Sequence, residues 1–192
     1  MNIEESIIIR KRKLKELITE SFDRYYCEIF EKFTLTDTGP ISQSSLKTLD
    51  HIQKGFGQCT IMSAYLCALL TDEYKLPAVT VAGDLIVSGI TAFQTDIKIQ
   101  QPNKPDTILD DWQGHCWVEI GGLICDVSIC RTADLSSDGS NLKAFIHSKF
   151  GKGKGLIAFP VQNAIELDMI YNPKEVLADD IITAIIKSYF KK

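Results

Sequence analysis

From Ser6 to about Phe33 apolar residues recur every three or four positions, through Ile7, Leu14, Leu17, Ile18, Phe22, Tyr25, Tyr26, Ile29 and Phe30. That spacing predicts one long amphipathic helix. The polar run TDTGPISQSS breaks it, and a short helix follows from about Gln43 to Gln53. Gly55 and Gly57 then end one element, and residues 58 to 74 are apolar on nearly every side. A helix with that distribution belongs in the middle of a core. PAVTVAGDLIV at 77 to 87 and TAFQTDIKI at 91 to 99 are rich in β-branched residues and predict strands, with QPNKPD at 101 to 106 as a loop. Residues 149 to 155 read as a glycine-rich loop without a phosphate-binding pattern. LIAFPV reads as a last strand, and NPKEVLADDIITAIIKSYFKK as a terminal helix capped by Asn172, with Pro173 and Glu175 in its first turn.

GHCWVEIGGLICDVSIC, residues 114 to 130, predicts two strands joined by the turn dipeptide Gly121–Gly122. In that register Ile120 faces Leu123, Trp117 faces Asp126 and His115 faces Ser128. Cys116, Val118, Ile120, Leu123, Cys125, Val127 and Ile129 then share one apolar face. His115, Trp117, Glu119, Ile124, Asp126 and Ser128 share the other, more polar one. His115 and Asp126 become diagonal neighbours, roughly 7 to 8 Å between centres and within reach of each other's side chains. A carboxylate on one imidazole nitrogen fixes the tautomer and leaves the second nitrogen to handle protons.

The matching nucleophile is Cys59, in the first turn of the apolar helix, where free backbone N–H groups and the helix dipole favour thiolate. The same N–H groups suit an oxyanion formed in acyl transfer. Cys27 and Cys67 read as packing residues, and Cys116 and Cys125 point to the core. His51 and His147 have no same-face carboxylate in this reading, and Asp110 and Asp111 read as a solvated strand entrance.

Length and composition narrow the function class. The chain has 192 residues, 45% hydrophobic and 24% charged, which fits a single domain spanning 1–192 with one core. A net charge of −4 with both signs dispersed argues against a nucleic-acid surface. The cluster Arg10 to Lys15 is flanked by acids and reads as a solvated helix face. No apolar run reaches the roughly 20 residues that cross a bilayer. The opening MNIEESIIIRKRKLKE is not a signal peptide, so a cytoplasmic setting is expected, or export without a cleavable signal. The six cysteines are then reduced thiols. With no C-x-x-C pair, and without the usual ligand spacings in His115, Cys116, Cys125 and Cys130, zinc is not expected, and cysteine acyl transfer calls for no metal or organic cofactor.

Gly57-Gln58-Cys59 heading an apolar helix, GHCWVEI with His115 and ICDVSI with Asp126 resemble the three motifs of the transglutaminase-like superfamily, a branch of the papain-like cysteine enzymes, over about residues 50 to 130. The resemblance implies an α+β fold with a nucleophile helix packed on an antiparallel sheet that presents His and Asp. It also implies Cys59 as acyl-accepting nucleophile, His115 as general acid and base, and Asp126 as its orienting partner. The reaction it implies is attack on a glutamine side chain or peptide bond of a protein or peptide, through a thioester. The upstream tryptophan, the flanking β-rich domains and the acidic calcium loop of animal transglutaminases have no counterpart here. Hydrolysis or deamidation is therefore expected rather than calcium-dependent crosslinking. For oxyanion or substrate contacts the candidates are Gln53, at the offset papain-type proteases use, together with Gln58, Trp112 and Trp117. Two other readings remain: a catalytically silent binding module, and a small-molecule acyltransferase of the arylamine-acetylating type, whose arginine before the cysteine motif is missing.

Overall fold

The computed structural model describes residues 2–99 and 112–191. In chain order the elements are α1 (Ile3–Ser21), α2 (Arg24–Lys32), α3 (Gly39–His51), α4 (Cys59–Asp72), β1 (Val79–Val87), β2 (Ile90–Phe93), β3 (His115–Ile120), β4 (Leu123–Asp126), α5 (Ile129–Leu135), α6 (Asn141–Phe150), β5 (Ile157–Pro160), α7 (Val161–Glu166), β6 (Met169–Leu177) and α8 (Asp179–Phe190). Every strand pairing among the described residues is antiparallel. The class is α+β.

Strand β1 organises the sheet. β6 runs along one of its edges from Thr80 to Val87. The other edge is shared in succession by β3, opposite Val79 to Gly83, and β2, opposite Leu85 to Val87. β4 and β5 extend the sheet beyond β3. Helices α3, α4 and α8 supply Ile41, Leu66, Leu70 and Ile182 to a core on one face. α1, α2, α5 and α6 supply Leu14, Ile18, Cys27, Ile129 and Ile146 to a core on the other. Each fully buried Leu or Ile contributes about 1.5–3 kcal/mol relative to exposure, so both faces have a strong reason to stay covered.

The turn at Gly121 and Gly122 has φ of 55° and 79°, as a type I′ hairpin requires, and Ile120 faces Leu123 as expected. The expected face division holds, with Cys116, Val118, Ile120, Cys125 and Val127 toward α4. The opposite face is buried too. Trp117 and Ile124 are wholly enclosed beneath α1, and the Glu119 carboxylate is satisfied there by Arg10 and by the Trp117 indole N–H at 2.8 Å.

Four expectations are corrected. The helix over 6–33 is two helices, because the Asp23 carboxylate accepts the Tyr26 N–H at 2.6 Å and restarts the helix after Phe22. The strand over 91–99 stops at Phe93. The second hairpin strand stops at Asp126, where that carboxylate captures the N–H groups of Ser128 and Ile129 and starts α5; this moves Ile129 to the core opposite to the one expected. The terminal helix begins only at Asp179, and residues 172–177 belong to β6. Pro173 is accommodated there at a bulge opposite Gly83. A Cβ on Gly83 would lie 2.0 Å from the Asn172 carbonyl oxygen, so only glycine permits that approach. Helices α6 and α7 have no counterpart in the sequence expectations. The loop at 101–106 and the Asp110–Asp111 pair lie outside the described residues.

Among the described residues no helix is long and apolar enough to cross a membrane. All six cysteines are free and buried.

Candidate active site

The apolar helix α4 lies between β3, α3 and α8, largely buried from Cys59 to Leu70, and its first residue is Cys59. Gly57 stands two residues earlier with φ of 70°, a left-handed conformation that costs a side-chain-bearing residue about 1–2 kcal/mol. No side chain caps α4 at Gln58, so the first-turn N–H groups and the dipole they carry are left for an anion at this end.

Strand β3 brings His115 to the same end of the sheet. Its Nε2–H donates to Asp126 Oδ2 at 2.6 Å, and ring and carboxylate are both completely buried. Asp126 is held from every side. Oδ2 also accepts the Tyr171 hydroxyl at 3.0 Å, while Oδ1 accepts Ser128 N–H at 3.0 Å, Ser128 O–H at 3.1 Å and Ile129 N–H at 2.9 Å. Phe93 stacks on the imidazole with centroids 4.9 Å apart and planes 23° apart, and Trp117 and Tyr171 flank it at 6.3 and 6.2 Å. With its ring walled in and Nε2 committed, the imidazole has one unused atom. Nδ1 is buried and has no hydrogen-bond partner among the described residues.

The electrostatics follow from these contacts. Burial opposes charge on His115, but the Asp126 carboxylate and its hydrogen bond, and then Cys59, overcome it and push the ring up to about 10. Asp126 is held below its ordinary range: burial opposes this, and the His115 charge and the backbone N–H groups of Ser128 and Ile129 prevail. The Cys59 thiol is lowered well below its usual value by the Cys116 thiol and by His115, against its burial. Cys116 moves the other way, driven up by burial and by Cys59. The two sulfurs flank one hydroxyl, Thr60 Oγ1, at 3.9 and 3.7 Å. Burial and Asp126 raise the Tyr171 hydroxyl, which therefore stays a donor. These contacts favour the charged form of both Cys59 and His115, with the Asp126 carboxylate behind the ring.

Of the three groups Cys59 is the one that reaches the surface. It lines a cleft of about 540 Å³ with Phe56, Thr60, Phe93, Trp112 and Thr132. A separate groove of about 330 Å³ between α1, α2 and α7 shares none of these residues. Among the described residues no group of three or more His, Cys, Asp or Glu side chains is placed to hold a metal ion.

The other sequence candidates divide. Trp112 walls the cleft, but its indole N–H is spent on the Ile97 carbonyl at 3.1 Å. Trp117 is fully buried behind His115 with its N–H on Glu119, so it meets no substrate. Gln53 is exposed, does not line the cleft, and donates its backbone N–H to the Tyr189 hydroxyl. Gln58 adjoins Cys59, and its side-chain oxygen is buried without a partner among the described residues. His147 does have a carboxylate, Asp134 at 2.7 Å on the neighbouring helix, and His51 meets the Tyr65 hydroxyl at 2.7 Å. Both lie outside the Cys59 cleft. Tyr171 and Phe93, which hold the pair in place, are not among the sequence candidates. Tyr171 adjoins a segment that reads as helix, and Phe93 reads as one more apolar strand residue. No signal in the chain marks either.

No family model matches the chain, no curated protein does, and no solved structure does.

Proposed function

We propose that the protein is a cysteine-dependent acyl-transfer enzyme of the transglutaminase-like type, acting on an amide of a protein or peptide. One observation carries the reading: a His115–Asp126 pair with a single unpartnered ring nitrogen, set beside a thiol of depressed pKa where a helix starts at the foot of an open cleft. The Cys59 thiolate attacks the amide carbon, and the C–O π pair moves onto oxygen beside the uncapped start of α4. As the oxyanion collapses, the C–N bond breaks and imidazolium Nδ1–H protonates the departing nitrogen. A thioester and a free amine or ammonia result. Water then adds to the thioester with neutral His115 taking its proton. Carboxylic acid leaves and the thiolate–imidazolium pair is restored. Asp126 holds the tautomer throughout.

Hydrolysis or deamidation is the overall outcome we favour over calcium-dependent crosslinking. The test uses p-nitrophenyl acetate as a simple acyl donor. The expected result is a burst of one p-nitrophenolate per chain, with acetyl on Cys59 that hydroxylamine removes, and loss of the burst in Cys59→Ala. Acetylation scattered over lysines with Cys59 unmodified would rule out the reading.

A further inference from the structure

The Cys59 cleft does not end at Cys59. A second hollow of about 310 Å³ shares Phe56, Thr91, Ala92, Phe93 and Thr132 with it and continues to Ser136, Ser140 and Leu142. The two hollows therefore form one groove. One wall is strand β2, and the other is α5 with the start of α6. β2 is hydrogen-bonded to β1 on its inner edge, and among the described residues nothing pairs with its outer edge. That edge is also not shielded by polarity. Ile90 is 48% exposed and Phe56, at the junction of the hollows, is 66% exposed. An uncovered strand edge presents a row of unpaired N–H and C=O groups, which folded proteins ordinarily cover or blunt.

Resting on the acyl-transfer reading, we infer that the substrate is an extended polypeptide segment that adds to the outer edge of β2 as a further strand, bringing its reactive amide to Cys59. The chemistry of the wall selects this occupant. Backbone donors and acceptors at strand spacing are complementary to another extended backbone, and alternate side chains then fall into pockets on either side. At about 3.3 Å per residue the four residues of β2 accommodate about four residues of peptide. The far hollow, lined by Val87, Ile90 and Leu142 with Ser136 and Asn141 at its rim, takes an apolar side chain. Small amides lacking flanking residues are poor substrates on this account, because most of the groove stays empty.

The experiment compares three reagents on the intact chain, each read by the mass of the peptide containing Cys59. Iodoacetamide measures the thiol alone. The other two carry one warhead, a chloroacetamide on the side chain of diaminopropionate (Dap): a single blocked residue, and a heptapeptide, acetyl-Ser-Leu-Thr-Dap(chloroacetyl)-Thr-Leu-Ser-amide. The heptapeptide is expected to alkylate Cys59 at least about tenfold faster than the single residue at sub-saturating concentration. N-methylation of one of its flanking amides is expected to lose about five- to tenfold of that gain, as removal of one backbone hydrogen bond does. Methylation of an adjacent amide, which points away from the strand, is expected to lose little. Fast iodoacetamide labelling with equal rates for heptapeptide and single residue, or indifference to every N-methyl group, overturns the strand-addition inference and leaves the acyl-transfer reading standing. Slow reaction with all three reagents overturns both. A dimer in which a second copy occupies the β2 edge, detected by sedimentation and cross-linking at Ile90, overturns it as well.

Discussion

The His115→Gln substitution isolates the charge that the thiol feels. The introduced amide retains an N–H able to reach Asp126, so the carboxylate keeps a donor at Oδ2 beside those from Tyr171, Ser128 and Ile129, although it loses its counter-charge. What disappears is the cation, held in the charged form up to about 10 by Asp126 and Cys59 despite its burial. The pKa of Cys59 must then rise. The size of the effect on reactivity depends on two opposed factors. Below both pKa values, each unit of rise cuts the thiolate population about tenfold. The more basic thiolate is intrinsically the better nucleophile, by about threefold per unit. Population wins, leaving the variant about threefold slower per unit of rise on the acid side. Above both pKa values only nucleophilicity remains, and the order reverses by about the same factor. The assay is the second-order rate of iodoacetamide alkylation at Cys59 between about pH 5 and pH 10, by mass spectrometry, on protein whose circular dichroism matches the parent. Two profiles that cross are expected. Profiles sharing one midpoint would refute the thiolate–imidazolium pair and the argument built on it.

Tyr171→Phe removes the hydroxyl that donates to Asp126 Oδ2 at 3.0 Å with little change in volume. Urea unfolding is expected to show a loss of about 1.5–3 kcal/mol, as for a hydrogen bond to a charged group, and a smaller loss would mean that solvent or a neighbour replaces the hydroxyl. The two glycine-to-alanine changes separate strain from collision. Gly57→Ala meets open space and carries only the cost of its φ of 70°, about 1–2 kcal/mol, whereas Gly83→Ala drives a Cβ to 2.0 Å from the Asn172 carbonyl and is expected to cost about 3 kcal/mol or more; similar melting temperatures for the two would contradict this. Stability against pH tests the ion pair from the folding side. Lowered Cys59 makes the unfolded chain bind more protons below about 8.5, raised His115 makes the folded chain bind more above about 6.5, and between these the two cancel. Stability attributable to the pair therefore rises toward about pH 6.5, is level to about 8.5 and falls toward about 10. In Cys59→Ser the fall is expected to begin near about 6.5, and urea midpoints at fixed pH values that show no earlier fall would count against the pairing.

The reach of the sequence is clearest at the hairpin and at α4. Gly121–Gly122 between alternating segments fixes the turn, the register and which side chains share a face, because strand periodicity and turn conformation are local properties. A run apolar on nearly every side between Cys59 and Asp72 reads as a central helix, and its glycine-marked start puts a thiol among free amides. From these two elements the Cys59, His115 and Asp126 candidates are legible. What local pattern could not supply is that neither face of the hairpin stays wet. The side holding Trp117 and Glu119 looks half polar in sequence, and it is buried because Arg10, more than a hundred residues away, neutralises the carboxylate beneath α1. Nor could it reveal β6, whose Asn172-Pro173 reads as a helix start and becomes strand because Gly83 on β1 leaves room for a carbonyl. Tyr171 arrives at Asp126 on that strand, and Phe93 arrives over His115 on an edge strand four residues long. Periodicity records how a segment meets its own neighbours. Which distant segment closes over a buried charge is set by packing and desolvation across the whole chain, and those are properties of the tertiary structure alone.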